Sequence, residues 1–527
     1  MSSPPEFERQ LERTGEVGTL LLVRPEHLDR RHPERLGLDR ESDLLLTVEC
    51  RADFETPPSH KQRAALLLAS LRSHAAALEE DGWRVLEHRL TDPFGATSAA
   101  EALEHAASRL APDRLVALRP PGWRDLEALE ALSLESQLEI AEDPHFVTTP
   151  EAFAEWADGR KRYTMEHFYR ALRRRESILV DADGEPEGGE WNYDSENREP
   201  LGDEAPEIPA RLEHEPTEIA ATALDVVATE LSDLPGELAG FAWPTTREQA
   251  LAELDDFVRR RLPHFGRYQD AMESDEPWLF HSRLSAALNL ELLDPRELIG
   301  AAVEAFEVGD APIASVEGFV RQILGWREFI RGIYWHQGPS YADENALEHD
   351  GNLPDFYWTA DTEMHCVAQS VGQVLEHGYG HHIQRLMVTG NLALTAGIEP
   401  RRVDDWYRGM FVDAFDWVTT PNVVGMTLYA DGGVVGTKPY AASGKYIDRM
   451  SDYCARCRFD PGERTGEYAC PFTTLYWDFL RRHRERLQAN PRARLGLRNL
   501  DRIAADELEA IARRARELRQ TWGVIES

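Results

Sequence analysis

Lysine is almost missing from this 527-residue chain: only Lys61, Lys161, Lys438 and Lys445 occur, and arginine makes up the rest of its 58 basic residues. With 94 acidic residues the net charge is −36. A surface that dense in carboxylates stays hydrated and soluble where salt screens their mutual repulsion, which is the composition of a halophile's protein. It opposes nucleic acid overall, so any DNA-binding reading needs a local basic patch. Long apolar runs are missing as well. No stretch approaches a membrane span and no apolar run follows a basic start, which predicts neither insertion nor secretion, and hence a cytoplasmic chain. Five cysteines in a chain this long exclude a disulfide framework and suit a reducing compartment. Internal repeats and low-complexity tracts are absent too.

What is present divides into three parts. Strand-length apolar runs at residues 18–23, 44–49, 83–90 and 114–118 alternate with helical stretches at 60–80 and 98–110, predicting a parallel α/β domain over residues 1–135. No Gly-x-Gly-x-x-Gly follows the first run, so a dinucleotide fingerprint is excluded. Residues 136–217 read as an interdomain connection, with aromatic helical segments and then a tract rich in Gly, Pro, Asp and Glu. Within it, Trp191 to Asp194 and Asn197-Arg198 are too aromatic for a bare spacer and predict packing on the second domain. Residues 218–527 are periodic at helical spacing, with Thr245 as a cap and Pro295, Pro421 and Pro491 as breakers, and predict an all-helical domain.

The chemistry concentrates in residues 361–472. Cys454 and Cys457 form a Cys-x2-Cys pair, Cys470 follows a short loop, and Cys366 lies upstream; four thiolates complete one metal site. Spacing alone leaves a zinc site and an iron–sulfur cluster open. Residues 371–386 read as one helix with His377, His381 and Arg385 on a shared face. Gly378 stands where a zincin's Glu would be, so a protease reading fails. His381 and His382 point to different sides, and one of them can face a pocket as an acid. Hydroxyls around Ser282 and Ser285 open a helix, suiting phosphate or simple capping. Arginines crowd residues 481–498, including Arg481, Arg482 and Arg484; they are a phosphate grip or a solvated face.

Four stretches, residues 265–295, 317–335, 378–391 and 429–471, the last reading Tyr-Ala-Asp-Gly-Gly…Lys-Pro-Tyr…Cys-x2-Cys…Ala-Cys-Pro, resemble the iron–sulfur bacterial cryptochromes and photolyases. This is the prokaryotic (6-4) photolyase branch of the photolyase/cryptochrome family, and the likeness runs over nearly the whole chain. It implies a Rossmann-like antenna domain and a helical domain holding FAD. Gly266, Tyr268, Gln269, Ser282, Leu284, Ser285 and Asn289 would contact FAD, with the Arg385–Asp413 ion pair flanking the flavin. Trp358, Trp406 and Tyr407 would pass electrons, and Cys366, Cys454, Cys457 and Cys470 would bind a 4Fe-4S cluster. Glu26, His27, Glu49 and Asp53 would meet a ribityllumazine antenna, although Glu26-His27-Leu28 replaces the family's Asp-Gln-Leu. Phe415 and Thr419 depart from the Tyr and Glu that relatives often carry.

The implied activity is light-driven repair of UV-damaged DNA by a monomer, on (6-4) photoproducts, with an electron from photoexcited reduced FAD. His382 would act as the general acid and His381 would support it. Arg198, Tyr440 and Arg481, Arg482 and Arg484 would touch DNA. A blue-light photoreceptor without repair activity is the rival reading, and a zinc-stabilised DNA-binding protein the third.

Overall fold

The computed structural model describes residues 5–134, 136–202 and 204–526. Five strands, β1 (Thr19–Val23), β2 (Leu44–Val48), β3 (Arg84–His88), β4 (Arg114–Leu118) and β5 (Leu138–Ala141), form one parallel sheet in the order β3-β2-β1-β4-β5. β1 and β2 are buried at every position, as a sheet covered on both faces requires. Leu20, Leu22 and Leu46 face a core closed by Phe7, Leu103 and Ala106, while Leu21, Val23 and Leu45 join the core shared with helix Lys61–Glu80. The four apolar runs become strands. β5 lies past residue 135, inside the stretch read as connection, because its four partly exposed edge residues carry little apolar signal.

Helix Lys61–Glu80 joins the two domains. His60 Nδ1 caps it by accepting from Gln62 N at 3.0 Å, and the opposite ring nitrogen bonds Leu375 O at 2.9 Å. Gln62 donates to Ala239 O and Glu376 O at 3.1 and 2.8 Å, and accepts from Trp243 Nε1 at 3.0 Å. The helix then packs along helix Glu218–Glu230.

In the connection, helices Pro150–Ala157 and Met165–Glu176 are followed by irregular chain that docks on the helical domain. Tyr193 N bonds Glu317 Oε2 at 3.2 Å and Asn197 Nδ2 bonds Ala314 O at 3.0 Å. Beyond Glu218 the described residues are helices and turns. Two local readings change. Thr246, not Thr245, caps helix Arg247–Asp256, with Gln249 reaching back to Thr245 N at 2.9 Å. Pro295 opens helix Pro295–Glu307 behind an Asp294 capping box, where its missing N–H costs nothing.

Candidate active site

Glycine decides where the histidines go. The expected helix over residues 371–386 stops at His377, because Gly378 takes φ +61° and returns its N–H to Val374 O at 2.8 Å. A side chain there would also press on Val412 at 2.8 Å. The chain runs non-helically through Tyr379 and Gly380, and a second helix starts at His382 and widens into a π-type turn over Gln384–Gly390. His377 therefore leaves the face it was expected to share with His381 and Arg385 and packs on Trp278, ring centroids 5.0 Å apart.

His381 is buried and stacks on His281 at 4.4 Å with 15° between the rings. His382 stands edge-on to His281, and its side chain is 50% exposed. One ring nitrogen from each of the three lies within 4.8 Å of the others. Burial, and then the adjoining imidazoles, holds His281 and His381 well below the ordinary histidine range, so both are neutral near pH 7. His382 Nε2 approaches Asp270 Oδ1 at 3.3 Å, and Tyr446 OH donates to the other Asp270 oxygen at 3.5 Å. A solvent-facing imidazole backed by a carboxylate can pass a proton to a bound substrate. Sequence reasoning missed Asp270, His281 and Tyr446 as members of this group. Each lies far along the chain from His382, and only the tertiary fold joins them.

Arg385 faces Asp413 through two parallel bonds of 3.0 Å, the fork geometry that suits guanidinium and carboxylate. Ser285 Oγ adds a bond to Asp413 at 2.7 Å, Asn289 Nδ2 holds the Asp413 carbonyl at 2.9 Å, and the guanidinium lies 4.1 Å over the Phe411 ring. Four of the expected cofactor residues thus converge. Around them His281 Nε2, both ring nitrogens of His381, and Nε and Nη1 of Arg283 are buried without a partner. Left unmet, such atoms cost about 1–3 kcal/mol each, so a ligand rich in polar groups, as FAD is, fits between them.

Other expected contacts are used within the protein. A Cβ at Gly266 would lie 2.7 Å from Asn197 Oδ1 and 2.8 Å from Ser315 Cα, so this glycine serves the docking of the connection. Gln269 donates to Asn197 O at 3.4 Å and Tyr268 packs on Phe280 at 5.4 Å. Ser282 Oγ turns to Leu284 N at 3.4 Å; Leu284 is buried.

Aromatic rings lead outward from Arg385. Tyr407 OH donates to Arg385 O at 2.7 Å, Trp406 lies 5.1 Å from Tyr407, and Trp406 Nε1 bonds Tyr357 O at 2.9 Å. Trp406 is fully buried, whereas Trp358, next to Tyr357, is 39% exposed. Tyr357, not singled out in the sequence, sets its ring edge-on to Trp406 at 5.1 Å.

The four cysteines gather from separate segments. Cys366 lies in the first turn of helix His365–His377, Cys454 in the turn Tyr453–Arg456, and Cys470 at the start of helix Pro471–Arg482. Bonds from Asp460 N to Tyr468 O at 2.7 Å and from Cys470 N to Asp460 O at 3.1 Å fold Cys470 back beside Cys457. Gly444 is required here, since a Cβ would meet Cys470 Sγ at 2.6 Å. Burial and then the neighbouring sulfurs push Cys366 well above its ordinary range and Cys454 up to about 12. Two groups of three or more His, Cys, Asp or Glu ligand atoms within 4.8 Å of one another occur among the described residues, and the cysteines form neither.

Arg481, Arg482, Arg484 and Arg486 of the basic patch all have carboxylate partners. Arg481 and Arg482 both bond the buried Asp478, at 2.8 and 3.0 Å, and Arg482 also donates to Thr395 O at 2.7 Å. Arg484 pairs with Asp501 at 2.6 Å and Arg486 with Glu348. Each is thus paired within the protein, and Arg482 ties Asp478 to Thr395 O. By contrast, Lys438, Lys445, Arg449 and Arg492 form no ion pair among the described residues. Lys438 lies 5.7 Å from the Tyr440 ring and Arg449 5.4 Å from Tyr446, the residue that bonds Asp270 beside His382. Arg198 is exposed and pairs with Asp194; its charge also acts on Tyr440 and Tyr446.

A family model described as "Deoxyribodipyrimidine photo-lyase-related protein" matches residues 21–243. An Agrobacterium fabrum protein named (6-4) photolyase is 44% identical over 460 residues, covering 86% of this chain and 90% of that one. The chain belongs to the bacterial (6-4) photolyase-related family. The fold agrees with two solved photolyase/cryptochrome structures. A bacterial class III photolyase from Agrobacterium tumefaciens superposes with TM-score 0.58 at 16% identity, over 90% of this chain and 98% of that one. A Synechocystis cryptochrome gives 0.54 at 14% identity, over 97% and 100%.

Within this photolyase-related fold, the expected antenna positions are largely engaged by the protein itself. Glu49 is bonded by Arg72 at 2.7 and 2.8 Å, by Arg89 at 3.3 Å and by Leu90 N at 3.0 Å, which leaves its carboxylate little capacity for a pigment. Glu26 is held by Arg24 at 2.5 Å and Asp53 is exposed. The cavity that Glu26 and His27 line measures about 20 Å³, against roughly 300 Å³ or more for a pocket that takes a small organic ligand. Glu26 and His27 border this small cavity, and Glu49 and Asp53 lie outside its lining. No helix among the described residues is long and apolar enough to cross a membrane.

Proposed function

We propose that the chain is a light-driven repair enzyme for UV-damaged DNA, acting on pyrimidine dimers and on (6-4) photoproducts in particular. The observation that carries this reading is His382: of three grouped imidazoles it alone faces solvent, it is backed by Asp270, and Tyr446 links that carboxylate to the unpaired Arg449. A lesion flipped from the duplex would lie against that rim, its phosphates on Lys438, Lys445 and Arg449 and its bases against Tyr440. His382 would give a proton to the lesion from Nδ1, the ring nitrogen that Asp270 leaves free, and recover it from the product, while neutral His381, stacked on His281, fixes its angle.

FAD, when bound between the Arg385–Asp413 pair and helix Ser285–Asn289, supplies light absorption and the electron. Arg385 and Asp413 hold each other in register for it, and Tyr407 and Trp406, with Tyr357 edge-on to Trp406 and the exposed Trp358 next to Tyr357 in the chain, would supply a route of aromatic residues to solvent. Replacing His382 with Ala should lower repair of a single-lesion oligonucleotide by about 10²–10⁴-fold while FAD content, read from absorbance, stays unchanged. Repair at the parent rate would remove His382 from the mechanism.

We assign Cys366, Cys454, Cys457 and Cys470 to one 4Fe-4S cluster. Zinc at about 2.3 Å from each sulfur would draw tetrahedral thiolates to about 3.8 Å of one another. That no three sulfurs come within 4.8 Å supports a larger inorganic core. Iron and sulfide content of the purified protein tests it. A ribityllumazine antenna is better accommodated by the groove of about 490 Å³ at Arg72, Arg89 and Thr222 than by the cavity at Glu26 and His27. The acidic surface supports work at high salt, as a cytoplasmic monomer.

A further inference from the structure

One buried group of side chains has no part in the reaction above. It lies where the ends of β1 and β5 meet the helical domain. His27 follows β1, Asp143 follows β5, and Glu291 follows helix Ser285–Asn289; their exposures are 4%, 4% and 5%. One ligand atom from each lies within 4.8 Å of the other two. All three line the cavity of about 20 Å³, which has room for one ion or one water.

The surrounding bonds orient these groups. His27 Nε2 meets Arg119 O at 3.1 Å, and a carbonyl only accepts, so Nε2 carries the proton and Nδ1 the lone pair. That Nδ1 is buried with no partner. A metal-ligating histidine is held in this way, with its other nitrogen donating to a backbone carbonyl. Glu291 Oε2 is fixed by His32 at 2.5 Å, and Asp143 Oδ1 accepts from His145 N at 2.8 Å.

Charge points the same way. Arg327 and Arg331 line the cavity, but they are bonded to Glu328 at 3.3 Å and Glu142 at 2.6 Å. Asp143 and Glu291 have no Lys or Arg partner among the described residues. These two carboxyl groups adjoin each other, with His32 on Glu291, and burial pushes both up, because two full negative charges there would cost several kcal/mol each in effective desolvation. A divalent ion would balance both.

We propose that His27 Nδ1 and the carboxylates of Asp143 and Glu291 bind one divalent transition-metal ion, of the zinc or manganese class, that clamps the sheet domain to the helical domain. One imidazole with two carboxylates is too hard a set for a copper(I) or thiolate-type site, and the imidazole disfavours magnesium and calcium. Two ligands come from the sheet domain and one from the helical domain, so binding would stabilise their docking.

The full-length protein, crystallised and soaked separately in Mn²⁺ and Zn²⁺, should show an anomalous peak bounded by His27, Asp143 and Glu291. The same ions should raise its Tm by several degrees, and an Asp143→Asn/Glu291→Gln variant should lose most of that gain. A water in the cavity with the carboxyl groups hydrogen-bonded to each other, meaning a shared proton in place of an ion, would overturn the proposal. So would an equal Tm gain in the variant. If the variant does not fold, the anomalous map of the parent decides alone.

Discussion

Two cationic regions lie on the helical domain, and they differ in what already faces them. Arg481, Arg482, Arg484 and Arg486 are the denser group, and each has a carboxylate within ion-pair reach. Lys438, Lys445 and Arg449 are fewer and have none among the described residues; two of them lie against tyrosine rings. On a chain with 94 acidic residues, the local count of arginines therefore says little about where a phosphate backbone can lie. What matters is which cations have been left without a carboxylate. Half the lysines of the chain fall in that second region.

The largest effect should come from neutralising the unpaired region. A Lys438→Gln/Lys445→Gln/Arg449→Gln variant should bind lesion DNA roughly 10- to 100-fold more weakly and flatten the log–log salt dependence by about 2–3. Fluorescence anisotropy over a salt series reads both. An unchanged slope would mean that none of the three contacts phosphate.

Next in size is a stability change within the paired region. Arg482→Gln removes a charged partner from fully buried Asp478, which keeps Arg481 and, at 3.6 Å, Arg519. A loss of about 1–3 kcal/mol in urea unfolding is expected, with DNA affinity intact. Equal weakening of DNA binding would return Arg482 to the interface.

The paired region should also carry a pH signature. His483 bonds His349 at 3.0 Å, and burial, followed by Arg482 and Arg486, lowers it to about 4. The unfolded chain then takes up its proton first, so stability is lost as pH falls from about 6.5 toward the folded value and levels off below it. The contribution is on the order of 1–3 kcal/mol. His483→Asn should flatten the slope of stability between pH values of about 6.5 and 4 relative to the parent.

Smallest of all should be Arg481→Gln/Arg484→Gln, less than about twofold on DNA binding, because both guanidinium groups already face a carboxylate, Arg481 the buried Asp478 and Arg484 the exposed Asp501. A loss as large as that of the lysine variant would invert the comparison between the two regions.

How much of this was legible in the sequence follows from the range of each interaction. Strand runs and helical periodicity are local, and four strands and the helical second half were readable from them. β5 was not, because an edge strand half in solvent shows no apolar run. The break at Gly378 was hidden because the spacing of His377, His381 and Arg385 matches a helix that the glycine's left-handed turn interrupts. Arg385 and Asp413 were named through family likeness and meet as expected. Asp270, His281 and Tyr446 could not be named, since nothing near them in sequence marks their partner. The pairing of the arginine patch was hidden for the same reason: Asp501 and Glu348, the partners of Arg484 and Arg486, are invisible to local pattern.

The cap of helix Lys61–Glu80 sets a timetable for the protein's birth. His60 waits for Leu375, 315 residues later, and Gln62 for Glu376, 314 residues later. At about 5–20 residues per second, ribosomes need roughly 15–60 s to make the intervening chain. The helix that Lys61–Glu80 packs along, Glu218–Glu230, emerges only about halfway through that interval, and until then the apolar flank of Lys61–Glu80 is without that partner. Expression should consequently reward slow synthesis and holding chaperones, and a separately produced sheet domain should be prone to aggregate.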